Sequence, residues 1–100
     1  MPTHNMKLVT IICEALARDA VTRLLREVGA HGHTLFEVEG FGANGHRTGE
    51  MMELANIQIE VLVPPATCER LMEELEAKFF HKYAMIAHES DVRVRRPHKF

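Results

Sequence analysis

Ile57-Gln58-Ile59-Glu60-Val61-Leu62-Val63-Pro64-Pro65 decides how the rest of the chain is read. Ile57, Ile59, Val61 and Val63 alternate with Gln58, Glu60 and Leu62, the period of two that sends one side of a strand into a core. The proline pair stops the strand, because proline brings no amide hydrogen to a ladder. Immediately afterwards the period changes. Cys68, Leu71, Met72, Leu75 and Phe79 form one helical stripe, while Glu69, Glu73, Glu74, Glu76 and Lys78 stay off it. A half-buried strand feeding an amphipathic helix is half of a small two-layer domain.

Upstream the same pair occurs again. Lys7 to Cys13 reads as a strand, with Leu8, Thr10 and Ile12 on one face and Val9, Ile11 and Cys13 on the other. From about Leu16 to Val28, Ala20, Val21, Leu24, Leu25 and Val28 make a helical stripe that Gly29 ends. Gly32 to Gly42 is expected as a second strand, and Lys82 to Glu89 as the last. The order β-α-β-β-α-β predicts an α+β, ferredoxin-like sandwich: one antiparallel sheet with both helices on one face, in a single domain over residues 1–100. The first strand is apolar on both sides, so the helix-free face also needs cover. Copies of the same chain are the expected cover, with ligand sites between subunits.

Between the middle strands runs Gly40-Phe41-Gly42-Ala43-Asn44-Gly45-His46-Arg47-Thr48-Gly49-Glu50, longer than an ordinary connection. Its glycines allow close backbone approach to a ligand, and Arg47 offers a fork for phosphate or carboxylate oxygens. Neither the lysine-hydroxyl pair nor the helix of a P-loop follows, which disfavours a nucleoside triphosphatase. At the other end, Arg93-Val94-Arg95-Arg96-Pro97-His98-Lys99-Phe100 is a basic tail, 91–100, on a chain whose formal net charge is only -2. That balance excludes a general nucleic-acid binder and points the tail at a small anion. Arg93 and Arg95 would share one face of an extended strand and could clamp a phosphate.

Glu37, Glu39, Glu60, Glu89 and Asp91 are the acidic candidates for chemistry, but no nucleophile stands beside a base in a local signature, so no enzyme is expected. The seven histidines, His4, His31, His33, His46, His81, His88 and His98, lack the paired spacing of a metal site. Cys13 and Cys68 fall in apolar segments and read as small buried hydrophobes. With no leader and no long apolar span, the expected setting is a reducing cytoplasm.

Three stretches carry a resemblance over Met6 to Arg95: Glu27-Val28-Gly29-Ala30-His31-Gly32-His33-Thr34, Glu37-Val38-Glu39-Gly40-Phe41-Gly42 and Ile57-Gln58-Ile59-Glu60-Val61-Leu62-Val63-Pro64. In them the chain resembles the PII signalling superfamily, homotrimers of ferredoxin-like subunits that bind adenine nucleotides in clefts between subunits. The resemblance implies that Gly40, Phe41, Gly42 and Leu62 hold the adenine and ribose, that Gly32, Thr34 and Glu60 reach the nucleotide, and that residues 43–55 form the target-binding T-loop.

The T-loop is shorter than in nitrogen-regulatory members, lacks the tyrosine uridylylated in some, and has Asn44 where glutamine is usual. The Thr-Gly-Lys-x-Gly-x-Gly-Lys phosphate loop is replaced by Lys78-Phe79-Phe80-His81-Lys82-Tyr83-Ala84-Met85. The chain is similar instead to the carbon-linked branch, the SbtB and carboxysome-associated PII proteins, in Arg47-Thr48-Gly49-Glu50 and His98-Lys99-Phe100. That similarity implies ADP, AMP or cyclic AMP and bicarbonate as ligands. It implies Asn44 and Arg47 at the folded loop, Arg93 and Arg95 at the phosphate, and a bicarbonate transporter or carboxysome component as target. It also implies a cytoplasmic protein associated with a carboxysome or recruited to a membrane by the transporter. A metal-binding CutA-like or metal-responsive PII-like trimer, using His31, His33, His46 or His88, is the alternative.

Overall fold

The computed structural model describes residues 2–42, 45–47 and 56–99. Four strands, β1 (His4–Glu14), β2 (Thr34–Val38), β5 (Asn56–Val63) and β6 (Met85–Val94), form a sheet in the order β2-β5-β1-β6 with every neighbouring pair antiparallel. Helices α1 (Arg18–Glu27) and α2 (Pro65–Lys78) complete the β-α-β-β-α-β plan. Two short strands, β3 (Gly40–Gly42) and β4 (Gly45–Arg47), make a separate ribbon.

Alternation in β5 produces the expected two faces. Ile57, Ile59, Val61 and Val63 are buried, whereas Gln58, Glu60 and Leu62 are half-buried. The buried set meets Val9, Ile11 and Cys13 of β1, Val21, Leu24 and Leu25 of α1 with Val28 just past its end, and Cys68, Leu71 and Leu75 of α2, with Phe79 closing the end. This is one contiguous core, with both helical stripes on the same side of the sheet. The other face keeps Phe36 and Ile86 exposed, 40% and 58% respectively, at opposite edges of one register row, Phe36–Gln58–Ile12–Ile86.

Several boundaries differ from expectation. α1 starts at Arg18, after a 3-10 turn at Ala15–Ala17, and this leaves Leu16, the expected start of the helix, exposed ahead of it. Its end is as read: Gly29 has φ 93°, its N–H donates to Arg26 O and that of Ala30 to Leu25 O, closing the last turn. Gly32 lies ahead of β2, which stops at Val38, so the expected strand Gly32 to Gly42 is two strands broken at Glu39. The proline pair has a second role besides ending β5. Pro64 is the N-cap and Pro65 the first residue of α2, where a missing N–H costs nothing.

The largest correction concerns the last strand. Lys82–Ala84 belong to a turn, and β6 runs from Met85 to Val94, beyond the expected Glu89. Residues 91–94 of the expected tail 91–100 are therefore sheet, paired with His4 to Lys7. Only Arg93 of the arginine pair is in the strand; Arg95 follows its end and Arg96 turns the chain at φ 57°. Among the described residues no helix is long and apolar enough to cross a membrane.

Candidate functional site

Register brings part of the expected nucleotide set together. Thr34 pairs with Glu60, Glu60 with Thr10 and Thr10 with His88, so these four form one row across the helix-free face. Leu62, opposite Leu8, is the next residue of β5 on that face. The Gln58 Nε2 donates to Glu60 Oε2 at 3.3 Å, a long bond that leaves the carboxylate room to accept elsewhere. Glu60 is thus a half-buried acceptor flanked by hydroxyl side chains and an aliphatic neighbour, a surface suited to a ligand with a flat ring and hydroxyl or amine donors. Gly32 lies two residues before this row, in the segment leading into β2.

The glycine stretch departs from the end of β2 as a ribbon. Gly40 pairs with Arg47, Phe41 with His46 and Gly42 with Gly45, so the backbone brings Arg47 opposite Gly40. Asn44, with residues 43 and 48–55 of the expected T-loop, lies outside the described residues.

Arg93 stands elsewhere. β2 and β6 are opposite edges of the sheet, three strand spacings or about 14 Å apart. Thr34 is level with Thr10 of β1 whereas Arg93 is level with Asn5, five residues or about 17 Å along the strands. Arg93 also faces the helices, sharing its side with Lys7 and Asp91. Within one chain the acceptor row and the arginine therefore do not meet. Arg93 lines its own cleft of about 430 Å³ with Asn5, Met6, Asp91, Val92 and the first residue of α2, Pro65.

The turn that stands in place of the phosphate loop has most of its backbone donors engaged. Phe80 N–H donates to Leu75 O, Lys82 and Tyr83 N–H to Phe79 O, and Ala84 N–H to Glu14 Oε1 at 2.7 Å. The Tyr83 ring rests 5.9 Å from that of Phe79. A turn whose amides are spent on its own closure has little left for a phosphate.

Of the other acids, Glu89 and Asp91 both pair with Lys7 Nζ, at 3.5 and 2.7 Å. The two carboxylates hold the Lys7 ammonium above its ordinary value, the Asp91 hydrogen bond most strongly. Burial first, and nearby carboxylates second, push both the Cys13 and Cys68 thiols up to about 11. Among the described residues no group of three His, Cys, Asp or Glu side chains is arranged to hold a metal ion. Sequence reasoning missed Lys7 and Asn5 altogether. Neither stands in a local motif, and only the β1–β6 register shows that they flank Asp91 and Arg93.

Residues 6–99 match the family described as nitrogen regulatory protein P-II. A PII-like signalling protein from Thermus thermophilus is similar at 32% identity, with 100% of this chain and 99% of that one covered and a TM-score of 0.87. CPII from Thiomonas intermedia K12, in a structure bound to ADP and bicarbonate, is 30% identical over 99% of this chain and 97% of its own, at a TM-score of 0.88. The same protein bound to ADP, AMP and bicarbonate is also 30% identical, with 99% and 96% covered and a TM-score of 0.89. No curated protein sequence matches the chain. Since the matched span takes in both helices and all of the four-stranded sheet but His4 and Asn5, the chain belongs to the nitrogen regulatory protein P-II family.

Proposed function

We propose that the protein is a homotrimeric regulator of the carbon-linked PII branch, which binds ADP or AMP together with bicarbonate and signals through its T-loop. The reading is carried by the separation of Thr34 and Glu60 from Arg93 by about 20 Å within one chain, on opposite faces of the sheet. Two half-sites of complementary chemistry, one an acceptor row and one cationic, become a whole site only when a second copy supplies the missing half. The exposed Phe36 and Ile86 on the helix-free face provide apolar surface for that association. CPII, 30% identical, binds ADP, AMP and bicarbonate, which supports the choice of ligands. The engaged donors of the Phe79–Ala84 turn favour a nucleotide with a short phosphate chain over a triphosphate.

On this reading Gly32, Thr34, Gly40, Phe41, Gly42, Glu60 and Leu62 hold adenine and ribose, while Arg93 and Arg95 come from the neighbouring copy to the phosphate. Asn44 and Arg47 close the loop over it. Bound anions then shift a loop equilibrium by differential affinity. A full swing from 1:99 to 99:1 needs about 5.5 kcal/mol, more than the roughly 1.5–3 kcal/mol of one charge-assisted hydrogen bond, so Arg47 acts with Asn44 and the second anion. The ordered loop presents a bicarbonate transporter or a carboxysome component with a different surface. No catalytic step is proposed.

Calorimetric titration with AMP, ADP, ATP and cyclic AMP, each with and without bicarbonate, tests the proposal. Binding of ADP or AMP at one site per subunit, tightened by bicarbonate and weakened in Arg47→Ala, is expected. No nucleotide binding would remove the central claim, and nucleotide binding indifferent to bicarbonate would remove the carbon link.

A further inference from the structure

Lys7 lies on the helix-bearing side of β1, directly opposite Asp91, and its ammonium reaches Asp91 Oδ1 at 2.7 Å and Glu89 Oε2 at 3.5 Å. Asp91 and Arg93 are two residues apart on the same face of β6 and line the same cleft. A carboxylate and a guanidinium so placed are natural partners, since side chains at i and i+2 of a strand are about 7 Å apart and an arginine easily spans that gap. Yet among the described residues Asp91 pairs with Lys7, and no ion pair is formed by Arg93.

We propose that Lys7 is a positioning residue: by engaging Asp91 it keeps the Arg93 guanidinium available to an anionic ligand in the cleft. The ligand class is a phosphate ester, so the inference rests on the assignment of Arg93 to the nucleotide phosphate and adds the device that holds the arginine ready. Glu89 fits the same account. It occupies the inner side of the Lys7 ammonium, so the lysine is held between two carboxylates and stays over Asp91. Removing Lys7 frees Asp91, and Arg93, two residues along the same face of β6 and in the same cleft, can then meet it. An intramolecular pair competes with the ligand for one guanidinium, and the ligand loses.

The test uses the full-length chain with four variants: Lys7→Met, Asp91→Asn, the double variant Lys7→Met/Asp91→Asn, and Lys7→Met/Glu89→Gln. Calorimetry with ADP and with AMP is expected to show Lys7→Met weakened about two- to fivefold, the range that an exposed ion pair commands. Asp91→Asn is the reference for the double variant: on that background Lys7→Met should weaken binding no further. Lys7→Met/Glu89→Gln removes the same charge from a carboxylate about 13 Å along the strand from Arg93, beyond its reach, and should not recover. Equal recovery in the two double variants overturns the inference in favour of bulk charge. A crystal structure of Lys7→Met decides the exchange without any nucleotide: Arg93 within 4 Å of Asp91 supports it, and Arg93 turned away overturns it. Failure of the parent protein to bind ADP or AMP would sink the nucleotide assignment, while the Arg93–Asp91 exchange would still be decided by that structure.

Discussion

Glu60→Gln isolates charge from shape at the centre of the acceptor row. The replacement keeps the size of the side chain and one carbonyl oxygen, so Gln58 Nε2 retains an acceptor in place of Glu60 Oε2 at 3.3 Å. That bond is long, and Glu60 has no ion pair among the described residues, so folding stability should change by no more than about 0.5 kcal/mol. Ligand binding is different. A hydrogen bond to a carboxylate contributes about 1.5–3 kcal/mol and one to a neutral acceptor about 1, so exchange of the acceptor should cost about 1–2 kcal/mol, or roughly five- to thirtyfold in Kd. Thermal unfolding without ligand and ADP titration by calorimetry, on the same preparation, separate the two effects. Unaltered ADP affinity in a variant of parental stability would refute the placement of Glu60 at the nucleotide, and a large loss of stability would show that its carboxylate belongs to the fold.

Two further outcomes concern the scaffold. Gly29→Ala places a Cβ in open space, with nothing within 4 Å, but at φ 93°, so the whole penalty is backbone strain of about 1–2 kcal/mol. For a domain of this size each kcal/mol lowers Tm by about 4–8 °C, and an unshifted Tm would contradict the left-handed cap. Cys13 and Cys68 are buried, with thiols pushed up to about 11, so at pH 8 neither carries much thiolate, the reactive form. At pH 8 iodoacetamide should label them only after unfolding in guanidinium chloride; rapid labelling of folded protein at that pH would contradict their place in the core.

Element type was legible wherever period and burial coincided, as in β5 and along both helical stripes. Boundaries were not, where pairing overrode local composition. Glu89-Ser90-Asp91-Val92-Arg93 has a single apolar residue, Val92, and only the alternation of Arg93 and Arg95 hints at extension, yet β1 reaches back to His4 and gives β6 ten residues of ladder, so the charged stretch becomes sheet. Gly32 and Glu39 were drawn into one long strand by alternation alone, whereas β2 has a partner only from Thr34 to Val38, facing Glu60 to Asn56.

The sequence by itself determined the α+β order, the two-faced middle strand, the Gly29 stop and the stretches through which the chain resembles the PII superfamily, because each is written in spacing between near neighbours. Only the tertiary structure decided which distant residues share a surface. It aligned Thr34, Glu60, Thr10 and His88 in one row, set Lys7 against Asp91, spent most of the amides of the Phe79–Ala84 turn, and put Arg93 on the far edge from Thr34. Strand order and register arise from the collective burial of Val9, Ile11, Ile59 and Val61 beneath two helices, a global condition that no local window of sequence contains.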